Sequence, residues 1–187
     1  MASIITATTT SGLTQSADNS GVLQLASGTG NLVTVPSVTG TMITTASTFA
    51  GTGPAFSATR SSNQSVSSGT WTKIQLNVEE FDTANCFDST TNYRFTPTVA
   101  GYYETNARFG IATTDTRLIC SVYKNGTEFK RGLDAGSALM GGATVSALIY
   151  LNGSTDYIEM FILIGSTQNI IGNAVDLYFQ ASMVRAA

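Results

Sequence analysis

The segment from Phe87 to Tyr103 constrains the fold of this chain more strongly than any other part of the sequence. Aromatic residues flank a short stretch that contains Pro97 and Gly101. Proline cannot donate a hydrogen bond to a β-ladder, and glycine adopts the backbone angles that tight turns require. The segment therefore predicts one strand, a turn and a second strand.

Apolar residues alternate with polar ones along much of the remaining sequence. From Thr72 to Phe81 the alternating apolar positions are Ile74, Leu76 and Val78, and this pattern predicts a half-buried strand. The dipeptide Asn125-Gly126 predicts a hairpin turn, because both residues tolerate positive φ angles. No segment keeps a helical period, so we expect an all-β fold, an antiparallel sandwich.

Five short motifs follow one another after residue 53. In chain order they are Pro54-Ala55-Phe56-Ser57-Ala58, the segment 87–103, Lys124-Asn125-Gly126, the stretch 143–153 and Tyr178-Phe179-Gln180-Ala181-Ser182-Met183-Val184. Their order resembles the globular head of complement component 1q, a jelly-roll family shared with tumour necrosis factor ligands. The resemblance implies a trimer-forming jelly roll for binding or structure, without enzymatic activity. The sequence departs from the family pattern at Ala100, where a proline usually precedes the turn glycine, and at Gln180-Ala181, which replaces a closing Ser-Gly.

Composition and charge narrow the function further. The chain has 9 Lys and Arg residues, 12 Asp and Glu residues and a formal net charge of −3. A nucleic-acid-binding protein usually carries a basic stripe, whereas the basic residues here are scattered, so we predict no nucleic-acid partner. The absence of histidine excludes Ser-His-acid catalysis and histidine-ligated zinc. We predict no cofactor and no enzymatic activity.

The acidic residues show no spacing that indicates a chemical site. Glu79 and Glu80 are expected to point to opposite faces of a strand, so they form no carboxylate pair. Some members of the complement-like family bind calcium, and the resemblance makes Asp82, Asp88 and Asp134 candidate ligands, although their spacing matches no ion-binding loop. We favour surface and turn roles, in which Asp88 caps the turn that follows it.

Two cysteines, Cys86 and Cys120, have neither a metal-ligand spacing nor a Cys-x-x-Cys arrangement. We predict two free, buried thiols, since buried cysteine packs as a small apolar side chain. A disulfide between them is the alternative.

Residues 1–53, which we call the arm, differ in composition from the rest. They contain a single charged residue, Asp18, and predict short strands at 21–25 and 31–35. So short an arm cannot build its own core, so we expect it to pack on other copies or on a larger assembly. Its short Thr- and Gly-rich strands with almost no charge resemble the N-terminal attachment segments of phage tail-fibre, neck and head-fibre proteins. A flexible linker or a β-rich pedestal is the alternative.

The N-terminal residues lack the basic region and the long apolar stretch of a secretory signal. No apolar run approaches the ~20 residues that a membrane helix needs, so we expect no membrane insertion. Two explanations fit this pattern. The sequence is a mature form that begins with a new methionine, or the protein is made in a host cytoplasm and released in another way, such as phage lysis.

The stretch 157–164 is apolar on both faces, which predicts a strand that is covered on both faces. We interpret it as part of a homotrimer interface. The alternative is a central strand that the chain's own loops cover. The predicted interface residues are Tyr102, Tyr150, Ile158, Met160, Ile162, Ile164 and Tyr178.

Two loops, 130–142 and 165–173, are predicted to lie at the end of the head opposite the termini. The candidate contact residues are Lys130, Arg131, Asp134, Gln168, Asn169, Ile170 and Ile171. An exposed Ile170-Ile171 pair predicts a contact patch. The alternative is that this pair packs at the trimer axis.

These observations together predict a homotrimeric virion protein with two parts, the arm and a jelly-roll head at 54–187. The arm attaches to other virion proteins, and the head binds a host-surface glycan or protein through three weak sites that gain from avidity. A fibre and a capsid decoration fit equally well. A secreted, non-viral recognition protein of the same fold is the alternative, and a hydrolase is the least supported class because no paired acids occur.

Overall fold

The computed structural model describes residues 2–8, 12–18, 23–27, 31–35, 53–132 and 140–187. The chain divides into two compact units, Met1–Thr48 and Phe49–Ala187. The boundary that the sequence predicts, at residue 54, lies a few residues beyond this division.

The described residues of the first unit form two antiparallel strand pairs. Its strands are β1 (Ala2–Thr8), β2 (Gly12–Asp18), β3 (Leu23–Ser27) and β4 (Asn31–Val35). β1 pairs with β2, and β3 pairs with β4. The strand predicted at 31–35 coincides with β4, and the strand predicted at 21–25 is found two residues later as β3. The first strand pair was not predicted, because its many Thr, Ser and Ala residues give a weak apolar alternation.

The described residues of the second unit form strands and contain no helix, and therefore none that could cross a membrane. The strands are β5 (Ala55–Thr59), β6 (Gln64–Val66), β7 (Thr72–Lys73), β8 (Val78–Asp82), β9 (Phe87–Asp88), β10 (Arg94–Phe95), β11 (Ala100–Asp115), β12 (Leu118–Lys124), β13 (Thr127–Arg131), β14 (Met140–Asn152), β15 (Ile158–Ile164), β16 (Gln168–Ile170) and β17 (Tyr178–Ala186). The all-β expectation is confirmed for this part of the chain.

Two antiparallel sheets build the head. The six-stranded sheet has the order β13-β12-β15-β10-β9, and β7 also pairs with β15. The seven-stranded sheet has the order β6-β16-β11-β17-β5-β8, and β14 also pairs with β11. Sequence neighbours such as β11 and β12 lie in different sheets, so the chain crosses repeatedly between two layers, as a sandwich requires.

Aromatic side chains join the two sheets in the core. Phe56 of the seven-stranded sheet stacks on Phe87 and Phe95 of the six-stranded sheet, with ring centroids 4.7 and 4.6 Å apart. Phe95 also meets the ring of Tyr103 at 5.7 Å. The segment 87–103 thus supplies the aromatic centre of the core. The predicted order of strand, turn and strand is found as β10, the loop 96–99 and β11, but Gly101 lies inside β11 and not in the turn.

The stretch 72–81 does not form the single strand that its alternation predicts. β7 pairs with β15 in one sheet, whereas β8 pairs with β5 in the other. Ile74 and Leu76 are fully buried between them, and Val78 is exposed. That prediction is wrong because alternation reports which side chains are buried and carries no information about which neighbour a strand pairs with.

The predicted turns at Asn125-Gly126 and at Asp88 are confirmed. Asn125 and Gly126 have φ angles of 52° and 77° and connect β12 to β13. Oxygens of Asp88 accept backbone hydrogen bonds from Thr91, Thr90 and Asn92 at 2.9 to 3.0 Å. These bonds, the one from Thr91 above all, hold the pKa of the Asp88 carboxyl well below its usual range.

Cys86 and Cys120 are free and buried, as predicted. Burial raises the pKa of the Cys120 thiol. Its side chain therefore packs as an apolar group, and the thiolate form that reacts with disulfides and oxidants is disfavoured.

Candidate functional site

The outer face of the seven-stranded sheet is open to solvent. Along β11, Tyr103, Thr105 and Ala107 point into the core, while Tyr102 and Glu104 are exposed. The neighbouring strand β14 shows the same alternation of buried and exposed side chains. One face of this sheet is therefore core, and the other is available to a partner.

Four large side chains are exposed together on this face, at the end nearest the C-terminus. We call them the apolar seam; they are Tyr102 (42% exposed), Leu148 (56%), Tyr150 (41%) and Val184 (48%). The rings of Tyr102 and Tyr150 lie opposite each other on paired strands, with centroids 5.5 Å apart. Isolated exposed apolar residues are ordinary, whereas a contiguous group marks an interaction surface.

A β-bulge in β17 shapes the seam. Tyr102 is opposite Arg185 and Tyr103 is opposite Met183, so one residue of β17 is extra. Val184 and Arg185 therefore both lie beside Tyr102. Together with Leu148 and the last two residues they line an open groove of about 530 Å³.

The other half of the same face is polar. Arg108 donates to Asp176 at 3.0 Å and to the backbone oxygen of Val175 at 3.3 Å. The Arg108 guanidinium, followed by the Asn173 amide, holds the pKa of Asp176 below its usual value. Tyr178 pairs with Arg108 between β17 and β11. It therefore lies on the same sheet face as the seam but is not one of the seam residues.

Four of the predicted interface residues lie elsewhere. Ile158, Met160, Ile162 and Ile164 are fully buried in the core of their own chain. The placement of these four at a trimer interface is therefore corrected, because a side chain enclosed between the two sheets cannot contact another copy.

The opposite face of β15 is also covered by the chain itself. Leu163 and Glu159 are nearly inaccessible, and Phe161 stacks on Tyr123 of the neighbouring strand β12, with ring centroids 4.0 Å apart. Lys73 pairs with Glu159 across the same surface. β15 therefore matches the alternative interpretation, because it is a central strand that its own chain covers on both faces.

These residues belong to a cluster on the outer face of the six-stranded sheet, which we call the outer platform. Its members are Trp71, Lys73, Tyr123, Arg131 and Phe161. Trp71 meets the ring of Tyr123 at 5.8 Å, and the Arg131 guanidinium lies 5.4 Å from the Trp71 ring centre. Sequence reasoning missed this cluster, because only the pairing of β12 with β15 brings Tyr123 beside Phe161.

The predicted distal contact residues do not form one patch. Lys130, Arg131 and Asn169 are exposed, and Ile171 is half-buried. Ile170 is fully buried, which corrects its placement in a contact patch; its strand pairs with β6 and β11, and its side chain joins the core. Asp134 lies outside the described residues.

A buried carboxylate fixes the loop at 165–168. Asp115 accepts hydrogen bonds from the backbone of Thr116, Arg117 and Ser166 and from the side chain of Gln168, at 2.6 to 3.2 Å. Burial raises the pKa of this carboxyl, but the hydrogen bonds from Arg117 and Ser166 outweigh it, so its pKa lies below the usual value. Gln168 is therefore occupied in holding the loop.

The candidate calcium ligands that the structure describes have local partners. Asp82 accepts from the backbone nitrogens of Phe87 and Ala84 at 2.7 and 3.2 Å, and Asp88 caps its own turn. Within the described ranges, no three His, Cys, Asp or Glu side chains are grouped closely enough to hold a metal ion.

Solved structures of the same fold identify the architecture. The globular domain of zebrafish complement 1qA matches with a TM-score of 0.55 and 16% identity, covering 72% of this chain and 99% of that one. The Eiger TNF from S. frugiperda matches with a TM-score of 0.55 and 9% identity, covering 72% and 92%. The predicted resemblance to the complement 1q and tumour necrosis factor jelly rolls is confirmed at the level of the fold.

A third match is more distant. The PRD1 vertex protein P5 has a TM-score of 0.49 and 17% identity, covering 70% of this chain and 96% of that one, which is too remote to support an argument about function. No protein-family model matches the sequence, and no curated protein matches it.

Proposed function

We propose that this protein is a homotrimeric structural protein of a bacteriophage virion, a fibre or a capsid decoration, in which the arm attaches to the particle and the head presents a binding surface. The observation that carries the proposal is the apolar seam. Tyr102, Leu148, Tyr150 and Val184 are large, exposed and contiguous on a regular sheet. Such a patch favours contact with another protein surface, and tyrosine suits it because the ring is buried while the hydroxyl stays hydrated.

The resemblance of the fold to a family of trimer-forming heads favours three copies. The seam lies on a sheet face that carries polar side chains as well as the exposed Phe81 (51%). Exposed Glu104 lies on β11 two residues from Tyr102, and Arg185 lies across from Tyr102. A polar rim around an apolar centre is the usual anatomy of a protein interface.

The virion assignment rests on the arm. Apart from Asp18 it carries no charged residue, whereas disordered tails are typically rich in charge. Its short strand pairs, β1-β2 and β3-β4, contain too few residues for an independent core. An uncharged, strand-rich segment attached to a compact head suits docking onto a larger particle.

Light scattering tests the self-association step. We expect the full chain to have the mass of a trimer, and Val184→Glu to reduce that mass, because the new carboxylate would be desolvated in the seam. Val175→Glu is the matched control, since Val175 is 80% exposed and lies outside the seam. A monomeric parent chain, or a Val184→Glu variant that remains trimeric, contradicts the proposal.

A fragment of residues 54–187 separates the role of the arm from that of the head. If the fragment is also trimeric, the head carries assembly and the arm is free to attach to a particle. If only the full chain is trimeric, the arm drives assembly and the seam is not the main contact.

The second candidate is a secreted recognition protein of the same fold, which the fold resemblance favours by itself. The neighbouring genes distinguish the two candidates. Capsid or tail genes beside this one support the virion role, while an upstream secretory signal or collagen-like repeat in the full gene supports secretion.

A further inference from the structure

A patch that contacts only its own counterpart cannot build a trimer. Such a contact relates two copies by a two-fold axis and closes as a dimer. In a ring of three copies, each patch meets a different patch on the next copy, apart from side chains that lie on the three-fold axis. In the trimer proposed above, on which this inference rests, the apolar seam therefore needs a second, complementary surface on the same chain.

An exposed phenylalanine at the opposite edge of the same sheet offers such a surface. Phe81 of the edge strand β8 is 51% exposed and pairs with Ser57. The neighbours of Ser57 in β5, Phe56 and Ala58, are core residues, so Ser57 and Phe81 point to the outer face, where the seam also lies. Phe81 lines an open hollow of about 220 Å³ on this face. Other residues that line the hollow are Glu104, Gln180 and Ser182.

The two surfaces carry opposite charges. Strand β8 contains Glu79, Glu80 and Asp82 and no basic residue. Arg185 is exposed and lies beside Tyr102 of the seam. The ion pairs among the described residues include neither Arg185 nor Glu80. Complementary charges that are unpaired in one copy are available to the next copy, where they fix the register of an interface.

In the described part of the chain, one further exposed aromatic ring lies outside the seam. It belongs to Phe129 of β13, which is 41% exposed. The Lys130 nitrogen lies 5.2 Å from the centre of this ring, so Phe129 is in surroundings of the same sign as Arg185. Like charges that face each other across an interface oppose association, and Phe81 is therefore the better partner for the seam.

We infer that the seam of one copy packs on Phe81 of the next, and that Arg185 of the first copy pairs with Glu80 of the second. Glu80 is the acidic residue of β8 whose carboxylate lies on the outer face, where it accepts a hydrogen bond from the Ser57 hydroxyl at 2.6 Å. Glu79 pairs with a core residue of β5, so it projects to the other side of the strand.

Arg185 and Glu80 do not reach each other within one chain. Glu80 is held at Ser57, which lies opposite Gln180. Arg185 follows Gln180 by five residues in β17, a rise of roughly 16 Å along the strand. This separation exceeds the reach of an arginine side chain. A coupling between the two residues is therefore a contact between copies.

Reversing both charges tests this contact in the full chain. Analytical ultracentrifugation measures the trimer dissociation constant. Arg185→Glu and Glu80→Arg should each raise this constant at least about tenfold, because like charges then face each other between copies. The variant that combines the two substitutions should return to nearly the parent value, since the ion pair is restored with its ends exchanged.

Two further variants separate the contact from unrelated effects. Glu79→Arg is the matched control, because it makes the same change of charge one residue away, on the other side of β8. It should leave the constant unchanged and should not rescue Arg185→Glu. Phe81→Ala removes the apolar part of the contact without a change of charge, and it should raise the constant as well. Urea unfolding of each variant shows whether a loss of trimer comes from a loss of fold.

The outcomes distinguish this contact from the trimer itself. A trimeric parent chain in which the combined variant stays as weak as the single ones overturns the inference and leaves the trimer proposal intact. So does an equal rescue of Arg185→Glu by Glu79→Arg, which would reflect net charge alone, or a Phe81→Ala variant that assembles like the parent. A monomeric or dimeric parent chain overturns the trimer proposal and this inference together.

Discussion

Tyr102 on β11 and Tyr150 on β14 are paired residues of an antiparallel ladder, and their rings lie 5.5 Å apart on the solvent side of the sheet. Each side chain is about two-fifths exposed, at 42% and 41%. A cross-strand aromatic pair stabilises a sheet by roughly 0.2–1 kcal/mol. That contact within the sheet does not explain why so much of each ring is left exposed to solvent. The exposed part of each ring is what a second copy would cover.

Replacing Tyr150 with alanine should therefore weaken self-association more than it weakens the fold. We expect the trimer dissociation constant to rise at least about tenfold, equivalent to about 1.4 kcal/mol, because the lost ring would be buried mainly between copies. Analytical ultracentrifugation measures this change. Thr144→Ala, at an exposed position of the same strand beside Arg108, should leave the constant unchanged. If Tyr150→Ala and Thr144→Ala change the dissociation constant equally, the contact between copies does not involve Tyr150.

Gly153 and Gly69 offer a matched pair of glycines with positive φ, at 71° and 66°. A Cβ at Gly153 would overlap the backbone nitrogen of Ala100, whereas a Cβ at Gly69 meets open space. The left-handed conformation alone costs an L-residue about 1–2 kcal/mol. Gly69→Ala should lose about that much stability and Gly153→Ala clearly more, as measured by urea unfolding. Similar losses would show that the loop at Gly153 moves freely away from Ala100.

How much of this fold can be predicted from the sequence depends on which structural property each sequence pattern reflects. Segment 87–103 predicted two strands joined by a turn, and Pro97 does lie in the loop between β10 and β11, although these two strands belong to different sheets. The aromatic residues of this segment that are found in the core are Phe87, Phe95 and Tyr103. The stretch 157–164 correctly indicated a strand covered on both faces. Alternation does not identify the covering residues, and Trp71, distant in sequence, is one of those that the fold brings to that surface.

The same limit applies to the candidate site. Tyr102, Tyr150 and Tyr178 were predicted to share a surface, and they do lie on one sheet face, but only the first two are neighbours. Leu148 and Val184 were missed. Val184 lies beside Tyr102 only because β17 has a bulge there, and a bulge of this kind leaves no clear signal in a single sequence.

Asp115 should make the free energy of unfolding depend on pH in the acidic range. Its folded pKa lies below 3.8, the value taken for an unperturbed aspartate, so its contribution is present above that pH and is lost as the pH falls through the folded value. Asp115→Asn should cost about 1.5–3 kcal/mol at neutral pH, because hydrogen bonds to a charged group are strong. The difference between the two proteins should disappear in acid. Urea unfolding at several pH values measures it, with Glu104→Gln as an exposed control; a difference independent of pH would assign the loss to packing.

Tyr103 should show the opposite dependence, at high pH. Its hydroxyl donates to the backbone oxygen of Val99 at 2.7 Å, and burial raises the pKa of Tyr103 to about 12 from 10.0. Tyr103→Phe should lose about 1 kcal/mol at neutral pH through the missing hydrogen bond. Because the unfolded chain ionises first, the advantage of the parent protein is complete below pH 10 and shrinks as the pH rises toward 12. Urea unfolding at neutral pH and near pH 11 tests this, and Tyr102→Phe, on the exposed face, is the control. An advantage that is the same at both pH values would mean that Tyr103 ionises as readily in the folded state as in the unfolded chain.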